Sequence, residues 1–326
     1  MKIHVLEALQ NSGAEYVSGE QLSEMLGVSR TMIWKIINQL KTAGYEIESS
    51  SRKGYRLIGS KDLFSQASLG LLFKNETWIN RVEYHETIDS TNLQAKRLAL
   101  ESEEDRVLIV ADEQEAGRGR LGRNWHSEKE TGIWLSLLLK PNIAPEASFR
   151  MTLIAAVAVS SAIEKVTGLK AGIKWPNDII VNGKKICGIL SEVSAEWQKI
   201  NYLVLGIGIN VNQKVFPEDI ESVASSLMRE TGVLVNRLDL LKACIESFVF
   251  YERALYDEAV LKTLLEAYRS RSVTLGQTVR VIGKSERIGQ ALEIDDQGAL
   301  LVAFENGVKE YVNYGEVSVR GIDYYA

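Results

Sequence analysis

The stretch IIVNGKKICGIL, residues 179–190, decides the fold of the central part of this chain. Asn182-Gly183 lies between two apolar runs, and this dipeptide in that setting is the strongest short hairpin signal, because the tight turn needs residues that accept positive φ. A hairpin makes its strands antiparallel, which argues against the strand–helix–strand repeat of a doubly wound sheet. Outward from it, strand-like runs are expected at 81–84, 107–111, 133–139, 179–181, 186–192 and 202–211, and helices at 91–102, 149–167 and 238–270. Successive strands without intervening helices predict an α+β domain with an antiparallel or mixed sheet over residues 64–270.

Composition sets the outer bounds. The chain has 326 residues, 45% hydrophobic and 25% charged, which excludes disorder, collagen and coiled coil and predicts two or three domains at roughly 150 residues each. The longest apolar run, 151–163, falls short of the roughly 18 residues that span a bilayer, so no membrane association is expected. The N-terminus lacks a signal peptide's apolar core. Cys187 and Cys244 are the two cysteines, too few for a disulfide framework, and a reducing cytoplasm is the expected compartment.

The net charge of −5 speaks against nucleic acid as a partner until it is resolved by segment. Residues 28–57 carry Arg30, Lys35, Lys41, Arg52, Lys53 and Arg56 against Glu46 and Glu48, a net of +4. Beneath that charge, Ile3, Val5, Leu6 and Leu9 fit one helix. Ser18 with Gln21 has capping-box spacing for a second, with Leu22, Met25 and Leu26 facing inward. Ser29 caps a third, whose inward face is Ile33, Ile36, Ile37 and Leu40. Its outward face carries Arg30, Thr31, Trp34, Asn38 and Lys41, with Lys35 on the flank. Two short helices around a turn at Gly27 form a helix-turn-helix, whose second helix enters the major groove. A hairpin follows over 45–57, and Arg52 and Lys53 at its tip suit the phosphate backbone. Residues 1–60 thus read as a winged helix-turn-helix DNA-binding domain, with a solvated basic packing module as the bland alternative.

The chemistry-bearing stretch is GRGRLGRNW, residues 117–125, preceded by Gln114. Gly117, Gly119 and Gly122 satisfy the dinucleotide fingerprint, but no helical apolar period follows them. A P-loop fails because Arg123-Asn124 replaces the required Lys-Ser/Thr. What remains is a flexible glycine loop with Arg118, Arg120 and Arg123, suited to bidentate binding of phosphate or carboxylate. Lys174-Trp175-Pro176-Asn177-Asp178 enters a strand, and Lys185 follows the Asn182-Gly183 turn. In Gly206-Ile207-Gly208-Ile209-Asn210 two positions lack side chains, which points to a ligand or backbone lying close. Asp89-Ser90-Thr91-Asn92 opens a helix, and helix capping accounts for Ser90 or Asp89 without any ligand. His4, His85 and His126 are scattered, so no metal site is expected.

DSTN at 89–92, GRGRLGRNW at 117–125, KWPND at 174–178, GKKICGIL at 183–190, GIGIN at 206–210 and GEVSVR at 315–320 occur in one order behind a helix-turn-helix. In this the chain resembles the BirA-type bifunctional biotin–protein ligases and biotin-operon repressors, the class II biotin-[acetyl-CoA-carboxylase] ligases. The resemblance covers the whole chain and implies a class II synthetase-like mixed sheet in the centre and an SH3-like β barrel over 271–326. Strands expected at 273–281, 290–294, 300–304 and 308–312 agree with the latter.

The resemblance further implies adenylation of biotin by ATP, with magnesium (Mg2+) arriving mainly with the nucleotide. Biotin then passes to a lysine of a biotin carboxyl carrier protein. With biotinyl-5'-AMP bound, a homodimer would repress at operator DNA. It assigns Lys185, Arg118 and Arg120 to catalysis. Ser90, Thr91, Asn92, Gln114, Arg118, Gly119, Arg120, Trp125, Lys185, Gly206 and Gly208 would bind biotin, and Arg120, Arg123, Lys174, Asn177, Asp178 and Asn210 the nucleotide. Ser29, Arg30, Thr31, Trp34, Lys35, Asn38, Arg52 and Lys53 would contact DNA. Leu121 stands where some family members carry another arginine. A biotin-sensing repressor without catalysis, and a lipoate-type ligase, are the competing readings.

Overall fold

A computed structural model describes residues 1–59, 62–196, 199–283, 285–313 and 318–321. The chain forms two compact units, Met1–Thr77 and Trp78–Ala326.

The first unit contains α1 (Lys2–Asn11), α2 (Gly19–Leu26), α3 (Arg30–Thr42), the hairpin β1 (Glu46–Ser50) and β2 (Gly54–Gly59), and α4 (Gln66–Leu72). Ser18 and Gln21 form the expected capping box, and Ser29 Oγ accepts from Met32 N at 3.2 Å to start α3. The four apolar residues expected inside α3 are buried with Val5, Leu6, Leu9 and Leu22 in one core. Met25 departs from expectation, being 64% exposed. Met25 and Leu26 flank the direction of Leu22 on the helical wheel, and the core lies on the Leu26 side. Helix α4 also belongs here: Ala67 joins this core, so the compact unit extends past the expected boundary near residue 60.

The second unit begins with β3 (Arg81–Ile88), α5 (Thr91–Glu101), β4 (Val107–Gln114), β5 (Gly132–Leu139) and α6 (Arg150–Thr167). It continues with β6 (Gly172–Lys174), β7 (Asp178–Val181), β8 (Lys184–Glu196), β9 (Lys199–Asn210), α7 (Leu227–Thr231), α8 (Arg237–Glu252) and α9 (Glu258–Arg271). Seven strands form a mixed sheet in the order β3-β4-β5-β9-β8-β7-β6, with β3 and β4 parallel and the other neighbours antiparallel. Asn182 and Gly183 take φ of 49° and 77°, as the turn between β7 and β8 requires. The apolar run 151–163 is α6, and Met151 through Ser160 are all buried within the protein. The helix expected over 238–270 is two, because Arg253–Leu255 tightens into a 3-10 turn and Asp257 caps a new helix through Ala259 N and Val260 N.

The chain ends in β10 (Thr278–Ile282), β11 (Glu286–Ile294), β12 (Leu300–Phe304), β13 (Lys309–Val312) and β14 (Ser318–Gly321). These form a five-stranded antiparallel sheet, the expected small β cap, in the order β13-β12-β11-β10-β14. Gly315, Glu316 and Val317 of the GEVSVR stretch lie outside the described residues.

Candidate active site

The neutral wall of the site is built where β3 hands the chain to α5. Ser90 stands at the cap position and is 1% exposed, yet its hydroxyl makes no capping bond. Gln114, at the end of β4, does that work instead: its Oε1 accepts from Thr91 N at 2.8 Å and Thr91 Oγ1 at 3.0 Å. Capping therefore does not account for Ser90. Asp89 accepts from Ser90 N and pairs with Arg97, whose hydrogen bond holds the Asp89 carboxyl below its usual range.

Two residues behind this wall carried no sequence signal. Ser136, fully buried on β5, donates to Asn92 Oδ1 at 2.6 Å. Glu192 on β8 accepts from Asn92 Nδ2 at 2.8 Å and from Lys96 Nζ at 2.7 Å. Burial pushes the Glu192 carboxyl up, but those hydrogen bonds and the charges of Lys96 and Arg118 outweigh it and hold the acid below its ordinary value.

The arginine loop is a folded hairpin rather than a slack tether. Trp125 N donates to Gly117 O at 2.9 Å and Gly119 N to Arg123 O at 2.7 Å, while Arg120–Gly122 makes the turn with Leu121 at φ 57°. A Cβ on Gly117 would lie 2.4 Å from Trp125 O, so only glycine permits this closure. Arg118 is exposed, and Arg120 reaches Asn177 Oδ1 at 3.2 Å. Asn177 is thereby engaged at both ends, since its Nδ2 donates to Ile189 O at 2.8 Å.

Lys185 owes its direction to a β-bulge. Strand β7 pairs Ile179 with Cys187 and Ile180 with Lys185, which leaves Ile186 as the extra residue. Bulges re-aim side chains at functional sites. The bulged backbone is held from outside the ladder, with Lys185 N donating to Val223 O at 2.8 Å and Ser225 N to Lys185 O at 3.0 Å. The ammonium sits 2.7 Å from Asp178 Oδ1 and 5.2 Å from the Trp125 ring centroid.

The glycines of β9 make room for the protein's own side chains. A Cβ on Gly206 would stand 2.1 Å from Asn92 Oδ1, and one on Gly208 would stand 2.4 Å from Trp125 Nε1. Side chains, rather than the ligand or backbone expected there, make the close approach: the Asn92 carboxamide and the Trp125 indole. Asn210, at the end of β9, accepts from Gln213 Nε2 at 3.3 Å.

All sixteen residues named for biotin or nucleotide line one cavity of about 1070 Å³: Ser90, Thr91, Asn92, Gln114, Arg118, Gly119, Arg120, Arg123, Trp125, Lys174, Asn177, Asp178, Lys185, Gly206, Gly208 and Asn210. Such a volume suits a ligand with two joined parts. Its lining combines neutral donors and acceptors with cations. Asp178 and Asp219 are the carboxylates lining the cavity. Among the described residues no group of three His, Cys, Asp or Glu has metal-holding geometry, so the donor set does not fit a metal cage made by protein alone.

In the first unit, Arg30, Thr31, Trp34 and Lys35 are exposed on α3, Asn38 is half-buried, and Arg52 and Lys53 occupy the hairpin turn. Two of the counted cations serve the scaffold instead. Lys41 Nζ donates to Ser49 Oγ at 2.8 Å. Arg56 pairs with Glu48 at 2.5 Å and stacks 4.7 Å from the Tyr16 ring centroid. Hydrogen bonds from Tyr16 and Arg56 hold the Glu48 carboxyl below its usual range, so this pair removes itself from the local charge balance.

Comparison with known proteins agrees with this division. Residues 84–210 match the biotin/lipoate A/B protein ligase family, residues 2–56 a helix-turn-helix domain, and residues 274–320 the biotin protein ligase C-terminal domain. The bifunctional ligase/repressor BirA of Bacillus subtilis is 38% identical over 94% of this chain and 95% of its own length. Its counterpart in Escherichia coli is 28% identical over 96% and 95%. The solved biotin protein ligase of Aquifex aeolicus, in complex with biotin and ATP, superposes with a TM-score of 0.62 at 31% identity, covering 74% of this chain and all of that one. With 94% of its residues aligned to a single relative of nearly equal length at 38% identity, the chain belongs to the family of the bifunctional ligase/repressor BirA.

Proposed function

We propose that this chain adenylates biotin in the cavity beneath the arginine hairpin, transfers the biotinyl group to a lysine of the biotin carboxyl carrier protein of acetyl-CoA carboxylase, and represses transcription as an adenylate-bound homodimer. The observation that carries the reading is the cavity's mixed lining: the uncharged hydrogen-bonding groups Ser90, Thr91, Asn92 and Gln114 together with Lys185 and the arginine hairpin. Biotin's ureido ring needs both donors and acceptors, which Ser90, Thr91, Asn92 and Gln114 supply. Its carboxylate then points toward Lys185, with Trp125 and the β9 glycines flanking the apolar body.

In the first step a carboxylate oxygen attacks the α-phosphorus of ATP and pyrophosphate leaves. Two anions must meet, and fixed cations aimed at the developing charge lower that barrier most. Lys185 exchanges its Asp178 partner for the incoming carboxylate and phosphate. Arg118, Arg120 and Arg123 close over the same anions, and Gly119 keeps the backbone low between them. Lys174, Asn177, Asp178 and Asn210 serve the nucleotide side. Asp178 would be the protein carboxylate that holds Mg2+ arriving with ATP, and the ion would supply partial neutralisation of the phosphate charge. In the second step the carrier's lysine amine attacks the biotinyl carbonyl and AMP leaves.

Ser29, Arg30, Thr31, Trp34, Lys35 and Asn38 face the major groove, and Arg52 and Lys53 the phosphates. A symmetric operator asks for a dimer. We assign DNA binding to 1–60, with α4 completing that unit's core, the ligand chemistry to 64–270, and the β cap to 271–326. Incubating a carrier domain with the protein, biotin and ATP tests the ligase. The expected result is a gain of one biotinyl mass on its lysine, and no gain with the wild-type chain overturns the reading.

A further inference from the structure

The excursion that carries Gln114 and the arginine hairpin leaves the sheet after β4 and rejoins it at β5. The β4–β5 ladder closes at Ala111 paired with Trp134; beyond it β4 pairs with β3 up to Ile88 and Gln114, and Gln114 also bridges to Ser127 on the returning limb. Into the fork between the parting strands comes a side chain from far along the sequence. Arg237, in the first turn of α8, is 1% exposed; its Nη1 donates to Asp112 Oδ1 at 2.8 Å and to Gly132 O at 3.2 Å. One guanidinium thus spans both limbs, two residues before Gln114 on one side and at the first residue of β5 on the other.

Helix stability does not account for this arginine. A cation at a helix N-terminus opposes the helix dipole, and α8 is already capped by Asn236, which accepts from Leu238 N and Asp239 N. Burying a charge is costly unless it is paired and hydrogen-bonded, and a well-packed apolar pair would stabilise the fork as well or better. What the ion pair adds over an apolar pair is direction, because the hydrogens on Nη1 of a planar guanidinium point in fixed directions and so set the angle between the two oxygens it binds.

We infer that Arg237, with Asp112, is a positioning residue for the adenylation site: it fixes the root of the 113–131 excursion, and so the place of the Gln114 carboxamide and the arginine hairpin over the cavity. This rests on the proposed function of that cavity. Gln114 is the relay: its carboxamide holds the start of α5 through Thr91 and donates to Ser127 Oγ at 2.8 Å on the returning limb. A shift of the fork moves both walls of the neutral pocket together.

The test uses the full chain with Asp112→Leu and Arg237→Met combined, which replaces the buried pair by apolar side chains. Thermal unfolding, hydrogen exchange of 113–131 against the rest of the sheet, and kcat/KM for adenylate formation with biotin varied are measured beside the wild type. The expected result is a folded protein with faster exchange confined to 113–131 and kcat/KM lower by up to about 100-fold, the size of effect a 1 Å misplacement produces. Exchange and kcat/KM both unchanged overturn the proposal. So does faster exchange spread evenly through the sheet, which marks the pair as merely structural. Should the double variant fail to fold, Arg237→Lys carries the same readouts, since it keeps the charge but replaces the planar, fixed donors by a freely rotating ammonium. A wild-type chain that forms no adenylate overturns the function of the cavity while the exchange arm still decides the positioning role.

Discussion

The molecule has two basic regions that use their charges in opposite ways. On α3 and the wing turn, Arg30, Lys35, Arg52 and Lys53 stand in solvent. In the cavity, Lys185 already lies against Asp178, Arg120 against Asn177, and Lys174 is 7% exposed. Solvent screens the first set within a Debye length of about 8 Å at physiological salt, so it contributes summed, nearly interchangeable attraction to a polyanion. The second set acts at lower effective dielectric, where a single charge matters more, and Lys185 and Arg120 each have a polar partner before any substrate is present, while Arg118 and Arg123 of the hairpin stay exposed. Interchangeable charges suit a duplex, and individually placed charges suit one reaction.

The largest break in that contrast comes from Lys185→Ala. Removing one preorganised donor from a site of developing charge costs about 10²–10³ in rate, measured as pyrophosphate release, while operator binding by the apo chain stays as it was. Gly206→Ala comes next. The new Cβ drives the Asn92 carboxamide from Ser136 and Glu192, and overpacking of this kind costs roughly 1–3 kcal/mol; a lower Tm and a raised KM for biotin are expected, and neither changing would show that Asn92 has room to spare.

Lys53→Ala sharpens the comparison from the other side. One lost phosphate contact lowers the salt slope of operator binding by about 1, with adenylation unchanged; a fall in adenylation would show that the two charge sets are not independent. The smallest effect concerns the thiols. Burial pushes Cys187 well above the usual thiol range and Cys244 up to about 12. A group with a raised pKa stays protonated far beyond neutrality, so the thiolate needed for alkylation is scarce throughout pH 6–9. Native protein is expected to leave both cysteines unlabelled by iodoacetamide, and denatured protein to label both.

Local chemistry made much of this readable. The capping box at Ser18, the cap at Ser29 and the Asn182-Gly183 turn are each decided within four residues, and the structure keeps all three. The arginine hairpin was visible as composition but not as conformation, because its closure depends on the Trp125 backbone approaching Gly117. Ser136, Glu192, Asp112 and Arg237 were silent, since each matters through partners 44 to 125 residues away. The break between α8 and α9 was legible in principle at Asp257, a good cap masked by the apolar period on either side. Arg56 and Lys41 show the converse: a charge count over-reads cations that the scaffold consumes.

The bulge at Lys185 carries one more consequence. Along a regular strand, residues three apart point to opposite faces. Here a Cβ on Gly188 would touch Lys185 Nζ at 3.2 Å and the Trp125 ring at 2.8 Å, so positions 185 and 188 share a face. The extra residue has switched the strand's parity between them. The cavity's cation is therefore kept in place by counting as much as by chemistry: ironing out the bulge with Ile186 retained would turn the ammonium to the other side of the sheet, whereas deleting Ile186 would leave Lys185 two residues from Gly188 and on the same face of a regular strand.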